Sequence, residues 1–206
     1  MLKKSIYPKT KRLSCEGDKV YITEKLDGSN MVIFKKDEKI YIAQRKTIFS
    51  LDEIEEAKSI MYKGLYQWLI DNKDVFNDLH NNSAICGEWL GMGKIRYPVD
   101  EFDKRFYMFA KANVNEDFTL YNLMYDHKLF IYPFQSQTIP KCIGIVPEVM
   151  ELNVIPNKEH LDSVYAKYSE KAKRNVEGFV INYKDIISKY VRMKNGQLRE
   201  HFDRGE

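Results

Sequence analysis

The residues of this chain best suited to chemistry begin with Lys25, which lies in the segment EKLDGSN at 24–30. A lysine at the end of a strand holds its nitrogen rigidly, and neighbours can depress the pKa of its ammonium group, as a nucleophilic amine requires. A KxDG segment by itself is more often a solvent-facing lysine before an Asp-Gly turn. We therefore interpret Lys25 as a nucleophile only because three other segments accompany it.

Those three segments place charged side chains among apolar residues that favour strands. Glu88 lies in GEW and Glu177 lies in VEGFVI, and carboxylates buried in this way need partners. From Lys189 onward, cations alternate with apolar residues, which puts Arg192 and Lys194 on one strand face. Each segment alone is typical of an edge strand with one polar side, whereas the four together, in this order, are specific.

The four segments resemble the motifs of the covalent nucleotidyltransferase superfamily of ATP-dependent ligases and capping enzymes, most closely those of the nick-sealing phage-type RNA ligase family. The resemblance extends from Lys25 to Lys194. It implies that Lys25 attacks the α-phosphorus of ATP and carries AMP. The AMP then passes to a 5′-phosphate end of a nucleic acid, and a 3′-hydroxyl displaces it, with Mg2+ or Mn2+ as the metal.

The resemblance also implies a set of nucleotide-binding residues, to which Glu24 is assigned as well. Asp27 would lie near the AMP ribose and orient its loop, and Asn30 would lie near the phosphates or the incoming end. Arg45 would lie near the ribose and the 5′-phosphate of the nucleic acid. Glu88 would hold the ribose hydroxyls.

An aromatic residue of the segment FYMF is expected to stack on the adenine. The resemblance favours Phe109, with Phe106 as the alternative. Many relatives carry an aspartate directly after this aromatic, whereas this chain has Ala110.

The remaining roles concern the metal and the phosphates. Glu177 would bind the divalent cation, directly or through water, because hard cations prefer oxygen ligands. Arg192 and Lys194 would contact the α-phosphate and stabilise the transition state. The closing pair is often two lysines, and Lys189 is an alternative to Arg192 that does not alternate with Lys194.

The elements that must position these residues are mostly strands. Alternation predicts a strand over 20–26, with Val20, Ile22 and Glu24 on one face and Lys25 on the other. Further strands are predicted over 31–34, 40–43, 84–90, 105–110, 176–182 and 186–193, a turn at 37–38, helices over 51–71 and 157–171, and short strands and loops over 118–150. The expected fold class is α+β, with two antiparallel sheets around a nucleotide pocket, flanked by helices.

Length and composition say more about the domain architecture than about the binding partner. The 206 residues suit one adenylyltransferase domain over 1–206, without an OB-fold or a C-terminal accessory domain. A net charge of +3 by itself indicates neither a nucleic-acid nor a membrane surface. Three widely spaced cysteines argue against a disulfide framework and against a zinc knuckle. With neither a signal peptide nor a membrane segment, an intracellular, cytoplasmic protein is expected, and a phage-encoded origin is left open.

The expected substrate is RNA, with 5′-phosphate and 3′-hydroxyl ends. Basic clusters could follow its phosphates. One cluster is Lys3, Lys4, Lys9, Lys11 and Arg12, and the other is Lys94, Arg96, Lys104 and Arg105. Three alternatives stay open: DNA in a nicked duplex, joined by a minimal DNA ligase; a domain that binds nucleotide without ligating; and a protein partner that supplies substrate binding.

Overall fold

The computed structural model describes residues 19–183, 186–194 and 197–198, with the backbone alone at 193, 194, 197 and 198. The predicted N-terminal basic cluster and Cys15 lie outside these residues. The chain forms two compact units. The described part of the large unit is 28–93 and 98–145, and that of the small unit is 19–27, 94–97 and the described residues from 146 onward.

Strands dominate both units, with three α-helices among the described residues. The strands are β1 Val20–Glu24, β2 Ser29–Lys36, β3 Lys39–Ala43, β4 Ile48–Ser50, β5 Ser83–Trp89, β6 Phe106–Val114, β7 Leu120–Met124, β8 Ile143–Ile145, β9 Glu148–Leu152, β10 Gly178–Tyr183, β11 Ile186–Val191, β12 Met193–Lys194 and β13 Gln197–Leu198. The helices are α1 Ile54–Ala57, α2 Leu65–Asn72 and α3 Lys158–Ala172. The α+β fold class is confirmed, and every predicted strand is present with somewhat different ends. The last one stops at Val191, so Arg192 lies between β11 and β12 and not within a strand.

The large unit is built on one sheet. Its described strands run β4–β3–β2–β5–β6–β7 and are antiparallel, while β8 pairs with β6 in parallel. Alternation turns Met31 and Trp89 toward a core into which α2 inserts Leu65 and Leu69. All four of these side chains are fully buried. The opposite face of β2 and β5 is therefore the one that carries the polar residues of interest.

The hairpin between β2 and β3 turns at the predicted pair, Asp37 and Glu38. Both residues have positive φ, at 49° and 61°. A two-residue turn with both central residues in the left-handed region is type I′, whose twist matches that of the paired strands. The prediction of a turn at 37–38 is confirmed.

The predicted single helix over 51–71 is wrong. Ser50 does cap the segment, since its hydroxyl accepts the N–H of Asp52 at 3.1 Å, but short 3-10 turns flank α1 and the chain breaks at Gly64 before α2 begins. Gly64 has φ +80°, a left-handed conformation that ends a helical run. The apolar spacing is helical throughout, but the backbone is already extended at Met61, with ψ 152°, and turns left-handed at Gly64.

Replacing Gly64 by alanine is expected to lower the free energy of unfolding by about 1–2 kcal/mol. A Cβ at this position would meet Trp89 at an ordinary 4.0 Å, so the loss reflects backbone conformation and not crowding. Urea unfolding measures it. Gly64→Asn is the matched variant, since asparagine tolerates this conformation and should lose less. Equal losses in both variants would contradict the backbone explanation.

The small unit is a sheet with one covering helix. Its described strands run β11–β10–β1–β9, all antiparallel, and β12 pairs with β13 as a separate ribbon. Asn157 caps α3, because its side chain accepts the N–H of His160 at 2.9 Å. Leu161 and Tyr165 of α3 pack with Ile22 of β1.

None of the described helices is long and apolar enough to cross a lipid bilayer.

Candidate active site

The pairing of β1 with β10 brings Lys25 to Glu177. Lys25 directly follows β1, and its backbone N–H donates to the carbonyl of Gly178 at 2.9 Å. Its Nζ lies 2.6 Å from Oε2 of Glu177, with 25% of the lysine side chain and 14% of the glutamate side chain exposed. The predicted nucleophile and the predicted metal ligand are thus direct neighbours, although 152 residues separate them in sequence.

The carboxyl of Glu177 lies in a partly dehydrated place. Burial raises its pKa, while the charge of Lys25 and the hydrogen bond from it lower the pKa. Lys189 also lowers it, so the charge of Lys189 acts on this carboxylate. The charge of Asp27 raises the pKa of Glu177, so the site combines two carboxylates with two cations of the small unit.

Gly178 allows β11 to pass close to this pair. A Cβ there would collide with the backbone carbonyl of Tyr190 on the neighbouring strand. The glycine of the EG pair is required for close backbone approach beside Glu177.

Asp27 is fixed by the loop at 94–97. Its Oδ2 accepts the backbone N–H of Lys94 at 2.6 Å and that of Ile95 at 2.8 Å. Its own N–H donates to the hydroxyl of Tyr97 at 2.6 Å. Burial raises the pKa of Tyr97, which keeps this hydroxyl protonated. Three hydrogen bonds thus orient the residue two positions after Lys25.

The Glu24 side chain points away from that of Lys25. It extends toward α3, where both oxygens are bound by Arg174 at 2.5 and 2.7 Å and Oε2 accepts the hydroxyl of Tyr168 at 2.8 Å. The carboxylate is completely buried. Neighbouring residues of a strand face opposite sides of the sheet, so the Glu24 side chain lies on the face opposite that of Lys25. The prediction that the Glu24 carboxylate binds the nucleotide directly therefore does not agree with its position.

The closing basic residues are only partly described. Nη1 of Arg192 lies 3.0 Å from Asp162 of α3, and its guanidinium carbon lies 5.7 Å from the centre of the Tyr165 ring. These side-chain contacts are to α3, while the backbone N–H of Arg192 donates to the carbonyl of Glu177 at 2.8 Å. Lys194 lies in β12, and its side chain is outside the described residues. Lys189 is exposed and acts electrostatically on Glu177, so it stays the alternative.

Replacing Asp162 by asparagine is expected to lower the free energy of unfolding at neutral pH by about 1 kcal/mol. The hydrogen bond from Tyr190 lowers the pKa of Asp162, helped by Lys158 and Arg192. Because the pKa of this carboxyl is lower in the folded than in the unfolded protein, its ionised form stabilises the fold. This stabilisation is complete above the unfolded-state pKa of about 3.9 and is lost as the pH falls through the folded-state pKa. Urea unfolding of both proteins should therefore show a gap that narrows between about pH 5 and pH 2. A constant gap would contradict this.

The large unit supplies a second group of predicted residues. Asn30 and Glu88 are opposite each other on β2 and β5, so they share the sheet face away from the core. Tyr62 joins Arg45 to this pair, since its hydroxyl accepts the N–H of Arg45 and donates to the carbonyl of Asn30, both at 3.1 Å. Gly28 lies so near that a Cβ would collide with the carbonyl of Trp89.

The two candidate aromatics differ clearly in position. Phe106 is fully buried in the core beside Trp68. Phe109 is partly exposed at an irregularity of β6, between Met108, which pairs with Gly87, and Ala110, which pairs with Cys86. A bulge can redirect a side chain. Phe109 is thus the better placed of the two.

Three residues with a clear part in this geometry were missed by the sequence analysis: Tyr62, Tyr97 and Arg174. Each acts on a motif residue through a contact that is distant in sequence. A buried carboxylate such as Glu24 signals that a cationic partner exists, but not which one.

The residues present fit a divalent cation held mainly by water and phosphate. Among the described residues no cluster of three or more His, Cys, Asp or Glu side chains could hold a metal. Glu177 supplies one carboxylate. Mg2+ commonly binds one or two carboxylates and keeps waters and substrate phosphates as its other ligands.

Comparison with known families gives one match. A family model described as RNA ligase matches residues 18–195. No curated protein matches this chain.

Solved structures with a similar fold include Naegleria gruberi RNA ligase. A lysine-to-alanine variant with ATP and Mn has 19% identity and a TM-score of 0.53, covering 85% of this chain and 50% of that one. An apo aspartate-to-alanine variant has 19% identity and a TM-score of 0.51, covering 91% and 52%. This chain therefore spans about half the length of these proteins, and the likeness shows the fold.

Proposed function

We propose, since the chain belongs to the RNA ligase family, that it joins RNA ends through an AMP carried on Lys25. The observation that carries this proposal is the 2.6 Å contact of Lys25 with Glu177 at the paired ends of β1 and β10. A nucleophilic lysine needs a fixed position. Lys25 is fixed through its backbone bond to Gly178 and lies beside the carboxylate that is proposed to bind the cation.

The proposed reaction has three steps. The Lys25 ammonium first gives a proton to solvent, and its amine forms a bond to the α-phosphorus of ATP while the bond to the bridging oxygen of pyrophosphate breaks. A second proton then leaves the nitrogen for solvent. An oxygen of an RNA 5′-phosphate next forms a bond to the phosphorus of AMP while the bond from that phosphorus to the Lys25 nitrogen breaks, and the nitrogen regains its protons from solvent. Finally a 3′-hydroxyl attacks that phosphate, loses its proton and displaces AMP.

A divalent cation is proposed at Glu177, where it would neutralise charge on phosphate oxygens. Mg2+ and Mn2+ both suit a carboxylate and phosphate ligand set. The residues of the chain do the rest. Glu177 also holds the Lys25 ammonium until ATP arrives.

The other residues are proposed to bind and orient the nucleotide. Asn30, Arg45 and Glu88 project from the large unit as polar groups around Tyr62, which suits ribose and phosphate recognition. Phe109 is proposed to stack on the adenine. Asp27 holds the loop at 94–97, and Arg192, Lys194 or Lys189 would neutralise the α-phosphate.

An RNA substrate is supported by the family and by the EKxDGxN form of the lysine segment. Residues 25–194 would act as one adenylyltransferase region. A protein partner that adds substrate binding stays a proposal of the same kind. Weak, salt-sensitive RNA binding is expected, because it would depend on a few exposed cations.

The experiment that tests the proposal is incubation of the chain with α-labelled ATP and Mg2+ or Mn2+, followed by a denaturing gel. The expected result is label on the chain that chases onto a 5′-phosphorylated RNA. The incubation is repeated with α-labelled GTP. Label from GTP but not from ATP would instead indicate a capping-type enzyme. No label under any of these conditions would overturn covalent catalysis and leave a domain that only binds nucleotide.

Strand preference is tested on nicked duplexes that carry RNA or DNA at the 3′-hydroxyl side of the nick. Faster sealing of the RNA end is expected. A preference for the DNA end would overturn the RNA assignment in favour of a minimal DNA ligase.

A further inference from the structure

We infer that Tyr97 and Arg174 are positioning residues for Lys25, which they hold through the residues on either side of it. The inference rests on the proposed function, because it concerns the geometry of the proposed nucleophile. All the residues involved belong to the small unit. Arg174 lies outside the segments that the sequence analysis singled out, and Tyr97 directly follows Arg96 of the second basic cluster without an assigned role.

The first hold acts on Glu24, the residue before Lys25. Arg174 binds its carboxylate with two parallel N–H donors, at 2.5 and 2.7 Å, and only 9% of the arginine side chain is exposed. Such bidentate pairs fix orientation as well as distance. Arg174 directly follows the end of α3 at 172–173, so this bond anchors the last residue of β1 to the covering helix.

The second hold acts on Asp27, two residues after Lys25. Its backbone N–H is bound by the Tyr97 hydroxyl at 2.6 Å, and its carboxylate is bound by two backbone N–H groups of the same loop. The loop therefore fixes both the main chain and the side chain of Asp27. Lys25 and Leu26 lie between two anchored residues.

The residues that make these two contacts, Arg174 and Tyr97, also lie against each other. The guanidinium carbon of Arg174 lies 5.7 Å from the centre of the Tyr97 ring, within the range of a cation–π contact. A continuous path thus runs from Glu24 through Arg174 and Tyr97 to Asp27. It encloses Lys25 without contacting the ammonium group itself.

This arrangement matters because a lysine side chain has four flexible carbons, so the position of its nitrogen depends on how firmly the backbone is held. An error of about 1 Å in the placement of a reacting group costs on the order of a hundredfold in rate. Loosening either hold should therefore slow attack on the α-phosphorus while leaving ATP binding nearly unchanged.

The test is the single-turnover rate of labelling by α-labelled ATP in Tyr97→Phe and Arg174→Lys. Tyr97→Phe keeps the ring beside Arg174 and removes only the hydroxyl, while Arg174→Lys keeps the charge and removes the bidentate geometry. We expect the rate constant at saturating ATP to fall about 10–100-fold, with the half-saturating ATP concentration changed less than about threefold.

Rate and amplitude separate positioning from folding. A loss of folded protein lowers the labelled fraction at an unchanged rate constant, whereas mispositioning lowers the rate constant at full amplitude. Asp126→Ala is the control, because it removes a side-chain acceptor from a backbone N–H, that of Lys128, in the large unit. It should label at the wild-type rate.

Each outcome has a distinct meaning. Slow labelling at full amplitude supports the positioning role. Wild-type rate constants in both variants would overturn it while the proposed function stands, and the absence of label on the wild-type chain would overturn the proposed function itself.

Discussion

Lys25→Ala is expected to lose all covalent label from α-labelled ATP, a fall of more than about a thousandfold. The physical reason is that the proposed bond to AMP forms at Nζ, and no other described amine lies so close to Glu177, at 2.6 Å. Joining of RNA that already carries AMP at its 5′ end should be much less affected, since that step does not need the lysine as a nucleophile.

The measurement is a denaturing gel on wild-type and variant proteins of matched folding, checked by circular dichroism. Lys19→Ala is the control, because Lys19 is also a lysine of the small unit paired to a carboxylate, that of Glu151, at 2.6 Å. It should label normally. Label that persists on Lys25→Ala would show that another residue carries the nucleotide.

The second large effect concerns stability. Arg174→Met is expected to lower the free energy of unfolding by about 3–5 kcal/mol, because it leaves the Glu24 carboxylate buried without its cation. That carboxylate has no exposed surface at all. Urea unfolding measures the loss.

A double variant isolates the cause. Adding Glu24→Gln to Arg174→Met removes the uncompensated charge and should recover a substantial part of the loss. Lys158→Ala is the comparison, since Lys158 forms an exposed ion pair with Asp162 at 3.4 Å and should cost less than about 1 kcal/mol. Equal losses in Lys158→Ala and Arg174→Met would contradict the burial argument.

The strands of this protein could be predicted because their alternation is simple and local. The run at 20–24 even separates Glu24 from Lys25 by face, as the structure confirms. The helix over 51–71 could not be predicted correctly. Its apolar spacing continues across 61–64, where the backbone becomes extended at Met61 and left-handed at Gly64.

The residue types of the candidate site could be recognised from their motifs, whereas their partners could not. Tyr97 and Arg174 reach Asp27 and Glu24 across 70 and 150 residues. No local pattern encodes which of many tyrosines or arginines makes such a contact. The partner of Arg192 could not be predicted either. Alternation predicts that Arg192 shares a strand face with Lys194, but it does not reveal the contact with Asp162.

The position of β1 in the small sheet has a consequence for the order of folding. Its two neighbours, β9 and β10, both come from beyond residue 145, while the residues of the large sheet lie between 29 and 145. Closing so long a loop is costly in chain entropy, so contacts of this kind form slowly. A chain emerging from the ribosome therefore exposes Lys25 long before either strand that aligns it has been synthesised, and its reactive form is among the last parts to be completed.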